Sequence, residues 1–254
     1  MGSVIVVLTF LLAYYGRSVF GALAGIDVEN QYLALLYYYA WWVIPSSIVA
    51  LIYYKPQNFF SRIGLSNDFY KALKFSFLCT LPMILSSAIM GKILYDGDFN
   101  QHAFGLLRTT LFAGFFEEYF FRAFLFGMLF YKMKWGFVPA ALLGAIIFGM
   151  GHMYQGESVV QTAIIFGITA MGAAWFAWLL VEWGNNLWVP IFMHIFMNMS
   201  WVLFDISENA MGGLLSNVFR TTTIALTIIY TIRKNKQSGM RVNTQNLFYN
   251  KNKW

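Results

Sequence analysis

The chain has 254 residues, of which 59% are hydrophobic, 20% aromatic and only 11% charged. Soluble domains carry about 25% charged residues, so a water-soluble globular fold is excluded and a polytopic membrane protein is expected. The formal net charge of +6 does not point to nucleic acid, because the cations lie between apolar runs and at the C-terminus, as in membrane proteins.

The N-terminus, Met1-Gly-Ser-Val-Ile-Val-Val7, has neither a basic n-region nor an Ala-x-Ala site, so it reads as a retained first helix. A spanning helix needs about 20 apolar residues. Such segments recur at 3–24, 33–54, 72–94, 106–131, 136–154, 160–182, 186–206 and 212–232. The expected fold is an all-α membrane protein, a bundle of about eight transmembrane helices. It forms one unit over 1–233, with its polar core at about 106–206 and a basic cytoplasmic tail over 234–254. The tail is polar and is expected to be disordered or to rest on anionic lipid.

The charges set the orientation. With eight spans, Lys55, Arg62, Lys71, Lys74, Lys132, Lys134 and the cations of the tail share one side, and Arg17, Lys92 and Arg108 lie on the other. The positive-inside rule then places both termini in the cytoplasm. A seven-span arrangement would put the tail and the second loop on opposite faces. Aromatic residues near the proposed helix ends, among them Trp41-Trp42, Tyr53-Tyr54, Trp183 and Trp188, suit the lipid interface. Segment 57–70, with Phe59-Phe60, reads as a short helix lying along it.

The third span carries Cys79, the single cysteine. One cysteine excludes an intrachain disulfide and a cysteine metal cluster, and no acid or base lies near it in sequence, so it reads as a buried thiol.

The fourth span holds Phe115-Phe116-Glu117-Glu118-Tyr119-Phe120-Phe121-Arg122. One charge near a bilayer centre costs about 2.5–3.5 kcal/mol on insertion scales, so three within two turns must face the protein interior. Residues i and i+4 share a helix face, which makes Glu118 and Arg122 the natural pair. Glu117 is left pointing elsewhere, as a candidate general base. The alternative is an ion-pair network that only fixes helix packing.

Later spans bring Phe148-x-x-x-His152 and His194-x-x-x-Asn198. His194 and Asn198 are stacked one turn apart and expected to bind one object jointly; the alternative is two interhelical hydrogen bonds. Glu117, His152, His194 and Asn198 are suited to water activation and oxyanion stabilisation. The same groups could ligate Zn2+, although the sequence lacks H-E-x-x-H. His102, Asp205 and Glu208 read as loop residues. The charge pattern puts His152 toward the outer half of the membrane, with Glu117 and His194 nearer mid-depth.

Glu-Glu-x-x-x-Arg, Phe-x-x-x-His and His-x-x-x-Asn, in that order on successive spans, resemble the CPBP family, also called ABI, which includes type II CAAX prenyl endopeptidases and bacteriocin-processing proteins. The resemblance covers about 106–206. It implies an eight-helix intramembrane endopeptidase acting on a peptide or membrane-protein substrate within the lipid bilayer. Glu117 would activate water, His152 would assist, His194 and Asn198 would form the oxyanion site, and Glu118 and Arg122 would support them. It implies either a zinc-dependent or a metal-free, glutamate-dependent reaction. The aromatic, Asn- and Lys-rich composition suggests a bacterial cell membrane, where a peptide substrate is favoured over a prenylated one. The alternative is a non-catalytic protein of bacteriocin self-immunity, or a scaffold, that uses the polar cluster for binding. A transporter is the weaker reading, since no inverted repeat is visible.

Overall fold

The computed structural model describes residues 1–24, 28–91 and 99–251; the side chains of Arg17 and His102, the whole of Lys92, and Lys253 lie outside the described residues. Helices stand at all eight expected places. They are α1 (Gly2–Ala24), α2 (Gln31–Tyr54), α4 (Phe69–Met90), α5 (Phe99–Leu106) with its continuation, α6 (Phe137–Met150), α7 (Val159–Glu182), α8 (Trp188–Val202) and α9 (Leu214–Asn235). A short α3 (Phe59–Arg62) occupies the segment expected to lie at the interface. Among the described residues, four helical stretches, 31–54, 69–90, 137–155 and 159–182, are long and apolar enough to cross a membrane by length and composition.

The surface has the polarity expected in lipid. On α2, Ile44, Ile48 and Ile52 form one exposed face, whereas Tyr39, Trp42, Ser46 and Ala50 point inward. In water such a stripe would be a large apolar patch.

The central element differs from the α-helix assumed in reading the sequence. From Leu107 to Phe126, and again over Met128–Lys132, the chain winds as a π-helix. At their ends the Gly127 N–H reaches the Arg122 carbonyl and the Met133 N–H reaches that of Met128, both five residues back. Such wide turns are rare and concentrate at functional sites. This π-helix contacts α1, α2, α6, α7 and α8, while α4 packs on α8 and α9. Its Phe120, Phe124, Phe126 and Phe130 are fully buried. Phe120 stacks on Phe10 of α1 at 4.3 Å and on Trp42 of α2 at 4.8 Å. The Ser47 and Tyr119 hydroxyls, 2.6 Å apart, add a polar tie from α2 beside Glu118.

The connecting segments gather into two groups. At one end, Leu187 N–H donates to the Gly64 carbonyl and Asn186 Nδ2 to that of Asp68. At the same end Trp135 Nε1 donates to Ser3 Oγ, and Asn250 N–H to the Lys134 carbonyl. In the other group, Ala210 N–H donates to Gln155 Oε1.

The tail is not loose. The N–H groups of Gly136, Phe137 and Val138 donate to carbonyls of Phe248, Asn246 and Leu247, and Asn250 Nδ2 caps the Phe130 carbonyl at 2.8 Å. Glu182, fully buried at the end of α7, accepts from the N–H groups of Arg241 and Val242 and from Asn235 Nδ2. The expectation of a disordered tail is corrected for residues 236–251: helix-end backbone groups and one buried carboxylate pair with it. Removing that acceptor leaves several donors unpaired. Glu182→Ala is therefore expected to speed tryptic cleavage at Lys236 and Arg241 by about tenfold, because local opening becomes easier; limited proteolysis followed by mass spectrometry reads it out.

Candidate active site

The acidic pair is delivered by the π-helix and meets α8. Close approach there depends on Gly114. A Cβ at Gly114 would stand 2.5 Å from Ile195 Cγ1 and 3.1 Å from the Ile195 backbone nitrogen. The missing side chain lets the two backbones approach and brings His194, the neighbour of Ile195, to the acids. Pro190 lies in the first turn of α8, where its missing N–H costs no helical bond.

Glu118 is the hub. Its Oε2 lies 3.0 Å from Arg122 Nε and its Oε1 2.8 Å from His194 Nδ1. Glu118 is fully buried and Arg122 2% exposed. Two buried charges of opposite sign offset much of each other's desolvation. The guanidinium is otherwise enclosed by aromatic rings: Arg122 Cζ lies 4.7 Å from the ring centre of Phe148 on α6, 5.4 Å from Phe176 on α7 and 5.8 Å from Phe121. A desolvated cation over such faces gains about 2 kcal/mol.

An ionised carboxylate only accepts, so the contact with Glu118 places a proton on His194 Nδ1 and fixes the ring. The other nitrogen then faces Glu117. Glu117 Oε2 lies 3.9 Å from His194 Nε2 and has no hydrogen-bond partner among the described residues. The Glu117 side chain keeps 18% of its exposure and that of His194 10%. The separation is too long for a direct hydrogen bond and of the kind that a water bridges.

The remaining candidates lie in a second ring. His152 Nδ1 lies 2.8 Å from the Phe148 carbonyl, and its ring centre 4.4 Å from that of Phe148. His152 is thus joined to Arg122 through Phe148, and no hydrogen bond or ion pair to Glu117 or His194 is seen among the described residues. Asn198 Nδ2 donates to the Thr109 carbonyl of the π-helix at 2.8 Å. Within the protein His194 and Asn198 reach different partners, Glu118 and the Thr109 carbonyl, which lie two turns apart on the same helix.

Two contributors were not found by reading the sequence. Phe176 clamps Arg122, but one aromatic residue in an aromatic-rich span carries no signal. Glu182 was detectable as the single acid of the 160–182 span.

A catalytic zinc takes three protein ligands at about 2.0–2.2 Å in tetrahedral array. Glu117 and His194 face each other across 3.9 Å, wider than the roughly 3.3–3.6 Å between two donors of a tetrahedral zinc with such bond lengths. His194 Nδ1 and Glu118 Oε1 are committed to one another, and no group of three His, Cys, Asp or Glu able to hold a metal occurs among the described residues. The donors in this arrangement do not fit a zinc site.

Lipid-facing helices enclosing a charged, hydrogen-bonded centre define an integral membrane protein with a polar site in its interior. Residues 99–200, which contain Glu117, Glu118, Arg122, His152, His194 and Asn198, match the family described as type II CAAX prenyl endopeptidase Rce1-like. Over this segment the chain is similar to the CAAX protease family that its three motifs suggest. No curated protein and no solved structure matches the chain.

Proposed function

We propose that the protein is an intramembrane endopeptidase in which Glu117 activates water for attack on a peptide bond. The observation that carries this reading is the facing pair Glu117 Oε2 and His194 Nε2, 3.9 Å apart, with the carboxylate oxygen otherwise unpartnered. A water between them is oriented by both groups. On attack, its proton passes to Glu117, and the oxygen bonds to the scissile carbonyl carbon. Glu117 later returns the proton to the leaving amine, so the carboxylate is regenerated. In its doubly protonated form His194 balances the cluster of two carboxylates and one guanidinium. Its Nε2–H and the amide of Asn198 then donate to the oxygen that develops negative charge. Glu118, fixed by Arg122, holds the imidazole, as a buried carboxylate orients histidine in hydrolytic triads. His152 assists from the turn after Phe148.

Eight crossings with both termini cytoplasmic fit the grouping of the loops. The segments near Gly64, Lys134, Leu187 and Asn250 meet at one end together with Ser3. Gln155 and Ala210 meet as members of the other group. These are the sets that an alternating eight-span path puts on the same sides. A bacterial cell membrane is the proposed location.

The reading is tested with purified protein in liposomes and internally quenched peptides ending in Cys-aliphatic-aliphatic-X, with and without a farnesyl group. Cleavage of either is expected, the bare peptide being cut at least as fast as the farnesylated one. No cleavage of any peptide, with binding to a bacteriocin partner retained, would instead favour the immunity reading. Exhaustive chelation is expected to change the rate by less than about twofold, since the donor set does not form a metal site; loss of activity restored by added Zn2+ would refute the metal-free mechanism.

A further inference from the structure

The motif residues lie between positions 117 and 198 of the chain, yet one group from α1 stands beside them. A Cβ built on Gly151 would strike the hydroxyl oxygen of Tyr14. The phenol therefore lies against the backbone of the residue before His152, and only glycine leaves room for it. Its ring meets that of Phe121, which lies four positions after Glu117 on the π-helix.

The ring has little freedom to leave. It stacks on Trp42 at 5.7 Å and on Phe10 at 5.9 Å, and meets Phe121 edge-on at 6.0 Å. Phe121 in turn meets Phe148 at 5.0 Å, and these two rings flank Arg122. Tyr14 is thus built into the aromatic frame of the polar cluster. No hydrogen bond of its hydroxyl is seen among the described residues. Within a bilayer a polar group needs a partner.

We infer that Tyr14 is a substrate-contacting residue: its hydroxyl, held by α1 against Gly151, hydrogen-bonds the peptide backbone beside the scissile bond. The site is then assembled from α1 as well as the π-helix, α6 and α8, and it extends beyond the segment 99–200 that matches the protease family. This assignment rests on the endopeptidase reading above.

Tyr14→Phe keeps the ring and its packing and deletes only the hydroxyl. It is expected to lower kcat/KM on the quenched peptide about tenfold, as for one lost hydrogen bond to the reacting complex. Gly151→Ala is expected to lose at least as much, because its methyl displaces the hydroxyl. In the double variant the methyl occupies the space that the hydroxyl has left, so its activity is expected to match Tyr14→Phe alone. Wild-type rates in Tyr14→Phe would overturn the assignment, as would additive losses in the double variant. A second measurement does not depend on activity. With 3-fluorotyrosine at position 14, Glu117→Gln is expected to shift the 19F resonance, and an unmoved resonance would refute the placement. If wild-type protein cleaves no peptide while the resonance still moves, it is the endopeptidase reading that fails and the placement of Tyr14 that stands.

Discussion

Glu117→Gln is expected to lower kcat by at least about a thousandfold while the protein remains folded in the membrane. General bases contribute about 10²–10⁴-fold, and Glu117 Oε2 faces His194 Nε2, whereas Glu118 Oε2 is held in the ion pair with Arg122. The glutamine is isosteric, so packing is preserved and the loss reports chemistry. KM should change little, since the base acts in the transition state. Glu118→Gln is expected to cost about a hundredfold, less than the neighbouring change. Glutamine can still accept from His194 Nδ1, which Glu118 Oε1 holds at 2.8 Å, but it no longer neutralises Arg122. Parallel kinetics on the two variants check this order. Equal losses would remove the distinction between a reacting and a supporting acid.

Arg122→Leu is expected to produce the largest loss of stability, about 3–5 kcal/mol. That is the usual cost of stripping one partner from a buried ion pair. Glu118 is fully buried and its Oε2 has the guanidinium as its charge partner. The cation–π contacts to Phe148 and Phe176 are lost with it. The double change Arg122→Leu with Glu118→Gln removes the orphaned charge and should recover a large part of the stability, though not activity. Thermal unfolding in detergent measures both. If the single variant melts like the wild type, the pair contributes nothing to the fold.

The acidic centre was legible because its spacing encodes geometry. Glu118 and Arg122 are four positions apart, and the two lie in contact. The same spacing arithmetic assumed α-helical turns, and apolar periodicity does not reveal that Leu107–Phe126 winds more widely. The places of the helices were legible from hydropathy alone. Long-range partners were not. That His194 Nδ1 is bound to Glu118, 76 residues away, follows from the closeness of α8 and the π-helix at Gly114, which no local pattern announces. Asn198 was read together with His194 because the two share a face, but no local pattern announces that its amide donates to the Thr109 carbonyl. The tail misled for a different reason. Its polar, basic composition suggested disorder, whereas asparagines are also the residues that cap helix-end carbonyls, as Asn250 does at Phe130. The carboxylate of Glu182 that receives Arg241 and Val242 is remote in sequence.

The central claim is that a water placed by Glu117 and His194 attacks the peptide carbonyl. It is tested most directly by running the peptide reaction in H2 18O with chelator-treated protein and weighing the products. The account predicts one 18O atom in the newly formed carboxylate of each cleaved peptide with the wild-type protein, and no product with Glu117→Gln. Cleavage by Glu117→Gln at the wild-type rate, or product without the label, would contradict it.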